Sequence, residues 1–194
     1  MIFQAAIYVR QQSEAGMKSG VCIVECVDPE DPGSEGRLLS EIFKLMQIEH
    51  ELQQVNSPEE LFDALAQTKM KHAHVSTHGT VGDDDRFLGW WTPEGTGRKK
   101  IVDRLQPRLK CTGLVSTACK SGNAKFASYV VNTLGVEYYI APRNSPWFHN
   151  AAFFCHIYYQ KLFRTKRSVP AAFNSYEKYY RNPHGFVLRT RDAQ

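Results

Sequence analysis

Two short stretches carry residue types that do covalent chemistry near neutral pH. In residues 74–80, HVSTHGT, His78 follows a β-branched run and precedes Gly79. In residues 113–122, GLVSTACKSG, Cys119 ends a similar run and is followed by Lys120, Ser121 and Gly122. A free thiol is most often buried and packs as a small hydrophobe, so Cys119 alone says little. Beside an imidazole or a helix N-terminus it reads differently, because the thiolate is the attacking species and such neighbours favour it. Histidine, which titrates at about pH 6.5, suits the role of general base or acid. Gly79 has no side chain to obstruct its backbone N–H, which together with that of Cys119 could face a developing oxyanion. The plain alternative is a structural thiol and a satisfied histidine that both fall at strand ends.

For these residues to meet, the chain must bring two strand ends to one edge. The sequence predicts a buried strand at 21–27 (VCIVECV), ended by a loop dense in Pro, Gly and acids, and then an amphipathic helix over 37–50. A short strand at 51–55 precedes a second helix, whose start is marked by Ser57, Pro58 and Glu60 as a capping box. Strands at 72–77 and 112–118 carry the two chemical stretches. Between them, Gly82, Gly89, Gly95 and Gly97 bracket RFLGWWT, which suggests an exposed hairpin or flap, and 99–109 reads as a short helix broken by Pro107. A helix at 123–135 closed by Gly135, a strand at 136–142, helices at 150–163 and 169–181, and a strand at 185–190 complete the chain. Residues 1–10 read as an extra strand.

This alternation of strand and helix predicts an α/β fold, a three-layer αβα sandwich around a mostly parallel central sheet. In such sheets reactive groups gather at the carboxyl ends of the strands, where His78 and Cys119 both fall. The 194 residues, 42% of them hydrophobic, suit a single domain over 1–194, with its core at about 20–163 and a basic helix and strand over 164–194.

No run approaches the roughly 18 to 20 apolar residues of a membrane span, and the start lacks the marks of a secretory signal. A cytoplasmic protein without membrane contact is expected. Five cysteines without framework spacing fit a reducing compartment. Cys22 and Cys26 sit about 13 Å apart if extended, too far to bond, and neither has partners at zinc-finger spacing. No metal or cofactor is expected. The net charge of +4 is concentrated late in the chain, at Lys161, Arg164, Lys166, Arg167, Lys178, Arg181, Arg189 and Arg191. A solvated face is the bland reading. The interleaved Tyr176, Tyr179 and Tyr180 leave open a nucleic-acid surface, although helical spacing more often means core.

Taken together, STHGT and STACKSG resemble the His-Gly and Ala-Cys-x-x-Gly pair of the caspase-like cysteine peptidases, in particular their CHAT branch (separases and bacterial relatives). The similarity continues through GVEYYIAPRNSPW and the following helix, covering most of residues 20–163. It implies a caspase-haemoglobinase-like fold and a cysteine endopeptidase acting through a thioacyl intermediate without a metal. By this resemblance Cys119 is the nucleophile, His78 the catalytic histidine, and Gly79 with Cys119 the oxyanion hole. It also implies a protein or peptide substrate, an activating or regulatory protein partner, and a role such as bacterial antiviral defence or regulated cell death.

Other positions are candidates for substrate binding. Basic-specific relatives carry an acid two residues before the nucleophile, where this chain has Thr117. Asp83, Asp84 and Asp85 after the histidine could attract a basic side chain, and Arg143 an acidic one. Trp147 follows Pro146 near the expected rim, whereas Trp90 and Trp91 read equally as a core plug or a substrate-facing flap. His72 and His74 are spread too far along an extended strand to chelate easily with His78, and Cys155 and His156 in an apolar helix read as packing. Two rival readings remain open: a catalytically silent caspase-like binding module, and a nucleic-acid-associated module acting through the basic end.

Overall fold

The structure, a computed structural model, describes residues 16–28, 31, 35–98 and 109–191, with Gly97 and Arg98 described by backbone alone. The predicted strand at 1–10 and the predicted helix at 99–109, but for Leu109, lie outside those residues.

Six strands make the central sheet: β1 (Lys18–Glu25), β2 (His50–Gln54), β3 (Met70–Ser76), β7 (Gly113–Ser116), β8 (Tyr138–Pro142) and β9 (Phe186–Thr190). Their order is β2-β1-β3-β7-β8-β9, with every pairing parallel except that of β9 against β8. A second, antiparallel sheet of β4 (Gly79–Val81), β5 (Phe87–Thr92) and β6 (Gly95–Arg98) leaves the carboxyl end of β3. Among the described residues, five α-helices complete the fold: α1 (Glu35–Met46), α2 (Pro58–Gln67), α3 (Ala124–Asn132), α4 (Phe148–Tyr159) and α5 (Val169–Tyr180), with a π-helical turn, Gln160–Arg164, extending α4.

Two apolar layers sandwich the large sheet, and strand alternation sorts side chains between them. In β1, Cys22 and Val24 join Leu61, Phe62 and Leu65 of α2, Val130 and Val131 of α3, and Trp90 of β5. Val21 and Ile23 join Leu39 and Phe43 of α1, Phe154 and Tyr158 of α4, and Phe173 and Tyr176 of α5. Because β1 is covered on both faces, its last six residues are all buried, and residues 21–24 among them form a continuous apolar run. The mixed α/β, three-layer expectation and its mostly parallel sheet are therefore met.

Several boundaries differ from those predicted, each for a local reason. The first helix stops at Met46 because Gln47 takes φ 54° and the Ile48 N–H bonds the Phe43 carbonyl. The α2 start matches its capping box: Ser57 Oγ accepts from the Glu60 N–H at 3.2 Å, while the Glu60 carboxylate reaches back to the N–H of Asn56. The expected flap is not merely exposed. Trp90 is fully buried, donating its indole N–H to Ser116 Oγ at 2.9 Å, so the small sheet is bolted to β7. Trp90 is thus the core plug, and its neighbour Trp91 goes to the rim. Among the described residues, no helix is long and apolar enough to cross a membrane.

Candidate functional site

The strands that carry the two chemical stretches are direct neighbours. β3 and β7 pair in parallel, with His74 opposite Val115 and Val75 opposite Ser116, so both chains leave the sheet at the same carboxyl edge. His78 lies two residues past the end of β3 and Cys119 three past the end of β7. The strand-like run before Cys119 is shorter than predicted because the chain turns at once. Ala118 N–H donates to Ser116 Oγ, and Ser121 N–H returns to the Ala118 carbonyl at 3.1 Å.

Gly79 meets Cys119 backbone to backbone. A methyl group at Gly79 would overlap the Cys119 carbonyl oxygen and stand 3.1 Å from its nitrogen, so only glycine permits this approach. Lys120, next in the chain, holds φ 60°, a left-handed conformation that costs a non-glycine residue on the order of 1 kcal/mol. The turn is held by the Lys120 N–H to the Asn144 carbonyl at 3.0 Å and by the Lys120 ammonium on Asp85. With the amides of residues 118, 120 and 121 engaged, no described residue accepts a bond from the Cys119 N–H. The helix start lies further off than the sequence suggests. Asn123 caps α3 through its side chain on the Lys125 N–H, which places the first helical residue at Ala124.

The imidazole is oriented by a residue that sequence reasoning missed. His78 Nε2 lies 3.0 Å from Asp31 Oδ2, with the two side chains 44% and 27% exposed. That exposure leaves the pair within reach of solvent. The ring is flanked by Trp91 at 5.9 Å and by Phe148 at 5.0 Å, both edge to face. A signal for Asp31 was available: it sits in the loop after β1, whose carboxyl end adjoins that of β3. Of the five free cysteines, Cys119 alone is not buried.

The remaining candidates distribute around this edge. Asp85 reaches the residue after Cys119, whereas Asp84 pairs with Arg86 at 3.4 Å in the same turn and Asp83 is exposed. Trp147, 74% exposed, precedes Phe148 at the start of α4 and so stands beside the imidazole's aromatic wall. Arg143 is exposed just past β8, its N–H on the Gly185 carbonyl. Thr117 is not open to solvent: at 5% exposure, its hydroxyl donates to the carboxyl of Glu35, the first residue of α1. The histidines of β3 and its exit part company, His72 meeting Tyr138 and His74 meeting Tyr159. Cys155 is buried, as packing requires. In α5, Tyr176 is buried and meets Phe154 edge to face in the core, while Tyr179 and Tyr180 are exposed.

A cleft of about 610 Å³ lies elsewhere, lined by Glu51, Gln54, Glu60, Asp63 and Gln67 between β2 and α2. It shares no residue with the rim.

The chain matches no protein-family model and no curated protein. Among solved structures, the RcsB response regulator of Salmonella typhimurium, described for conformational dynamism in DNA interaction, aligns at 17% identity with a TM-score of 0.39. That alignment covers 86% of this chain and 73% of the other, and a likeness so low carries no argument about function.

Proposed function

We propose that the chain is a caspase-like cysteine endopeptidase in which Cys119 and His78 form the reacting pair. The observation that carries this reading is the seating of Gly79 against the Cys119 backbone at the shared carboxyl edge of β3 and β7. Beside it, the imidazole is held by Asp31 at 3.0 Å. Three elements that are distant in sequence thus supply a thiol, a base and an orienting carboxylate at one solvent-reachable edge, which structural packing alone does not require.

The thiolate of Cys119 attacks the scissile carbonyl carbon, and the carbonyl electron pair moves to oxygen, where the N–H groups of Cys119 and Gly79 stand ready. The tetrahedral intermediate collapses by breaking the C–N bond. His78 gives its proton to the departing amine, leaving a thioacyl enzyme. Water then attacks the thioester carbonyl and gives its proton to His78, releasing the acid and the Cys119 sulfur. Asp31 holds the imidazole in position.

The test is a degenerate peptide library incubated with wild type, Cys119→Ala and His78→Ala, with new N-termini sequenced. Wild type should generate them and both variants should not. Identical cleavage by wild type and Cys119→Ala would remove the assignment, and no cleavage by wild type would favour a silent binding module.

A further inference from the structure

The large sheet ends in two edges, and the chain treats them differently. At the β9 edge the Asn182 side chain clasps the backbone of Phe186, accepting from its N–H at 2.8 Å and donating to its carbonyl at 2.7 Å. Such a clasp blunts an edge against further strands. At the β2 edge no described residue does the same. The Glu49 carbonyl accepts from the Val21 N–H at 3.0 Å, and the Val55 N–H donates to the Glu25 carbonyl at 2.9 Å, so the odd-numbered residues here turn their backbone groups to β1. The N–H and C=O groups of His50, Leu52 and Gln54 therefore face outward, and no described residue bonds them.

Alongside this open edge runs the cleft of about 610 Å³ between β2 and α2. Three carboxylates, those of Glu51, Glu60 and Asp63, line it against one ammonium, that of Lys69, on a chain whose net charge is +4. Glu60 gives one oxygen to the Asn56 N–H at 2.8 Å as part of the α2 cap. Glu51 and Asp63 are exposed and hold no hydrogen bond or ion pair among the described residues. Side chains alternate along β2, so Glu51 and Gln53 look into the cleft while Leu52, 37% exposed, lies on the opposite face. A strand laid along β2 would turn every second side chain toward carboxylates and the others toward Leu52.

We propose that β2 and α2 form a docking groove for an extended segment of another protein, which adds a strand to the sheet and carries lysine or arginine at alternate positions with apolar residues between. Backbone pairing with the open edge supplies affinity, and the alternate side chains in the cleft supply selection. The five residues of β2 span about 17 Å, enough for the three outward residues to pair. A second copy of this chain does not fit the same edge: β2 against β2 sets two acidic linings side by side, and the Asn182 clasp obstructs β9. The groove shares no residue with the rim, so the proposal stands apart from the peptidase reading.

The experiment titrates three fluorescein-labelled peptides into the full chain and follows their anisotropy: KVKVKVK, EVEVEVE, and KVKVKVK methylated at every interior backbone amide. At about 0.15 M salt, KVKVKVK should bind at least about tenfold tighter than either of the others. Glu51→Gln combined with Asp63→Asn should weaken it about fivefold. In amide exchange followed by NMR, saturation with KVKVKVK should slow Leu52 and Gln54 at least about tenfold, while Gln53 and Val55, already bonded to β1, change less than about twofold. Absence of KVKVKVK binding overturns the proposal, as does equal binding of the methylated peptide or undiminished binding to the double variant. Leu52 and Gln54 amides already protected in the free chain would mean that another part of the chain or a second copy covers the edge, and would overturn it too. Should the double variant not fold, the methylated peptide and the exchange pattern decide on wild type.

Discussion

Each end of the β3–β7 pair carries a histidine, a cysteine and a tightly packed glycine, and the two ends could hardly differ more. At the amino end stand His72, Cys111 and Gly113; at the carboxyl end, His78, Cys119 and Gly79. Cys111 is 2% exposed, and burial pushes its thiol up to about 12, with the nearby Cys22 adding to the rise. His72 is pushed down to about 4, first by burial and then by the charge of Lys71. Its Nδ1 lies 2.6 Å from the Tyr138 hydroxyl, itself in contact with the hydroxyl of Tyr158. Gly113 is needed because the Tyr138 ring lies against it, an approach of side chain to backbone that fills space. At the other end the glycine admits a backbone, the thiol is partly exposed, and the imidazole has a carboxylate instead of a phenol. The same residue types make a plug at one end and a candidate reactive edge at the other, because the thiol at the amino end is buried while the one at the carboxyl end is partly exposed.

Breaking the comparison at its strongest point means exchanging the roles of the two cysteines. Cys119→Ala should reduce library cleavage at least about 1,000-fold, whereas Cys111→Ala should keep the activity and lose only about 1 kcal/mol of stability in urea unfolding. Equal losses of activity in the two variants would erase the distinction. Next in size, His78→Ala should lower kcat/KM by roughly 100-fold or more, the usual share of a general acid–base group.

The amino end is best probed by pH. His72 has its folded pKa below the ordinary value of 6.5, so the unfolded chain binds the proton first. Stability is therefore full above about pH 6.5 and falls as the pH drops toward 4, by on the order of 3 kcal/mol from this group. Urea unfolding of wild type and His72→Gln at pH 7 and pH 4.5 should show a steeper acid loss in wild type, and parallel losses would contradict the assignment. Gly113→Ala should cost about 2 kcal/mol by forcing Tyr138 aside while sparing kcat. The smallest effect sharpens the carboxyl end: Asp31→Asn should lower kcat about tenfold, or 1.4 kcal/mol, because the imidazole keeps a neighbour but loses its charge partner.

Much of the layered fold was legible in the sequence because it rests on periodicity. The all-apolar run of β1, the stripe of α1 and the cap at Ser57 each act within a few residues. The expectation that His78 and Cys119 leave the sheet at one edge also came from strand ends, and it needed only that β3 and β7 be neighbours. What stayed hidden depends on contacts between distant segments. Asp31 stands 47 positions from His78 and reads as one acid among several in a loop. Glu35 looks like an ordinary acid in the first turn of a helix until the register of β7 brings Thr117 over it. Trp90 and Trp91 are adjacent and identical in type. Only the pairing of β4 with β5 decides which of them turns into the core.

The central claim is that the sulfur at the carboxyl edge, and not its twin at the amino edge, bonds to substrate. A single tryptic peptide, residues 111–120, carries both cysteines, so one fragmentation spectrum separates them. The full chain is incubated briefly with the degenerate library, quenched in acid and digested. The account expects a peptidyl acyl mass on Cys119, absent when Cys119 is alanine. Cleavage of the library without acyl mass on Cys119, or with that mass on another residue, would contradict it.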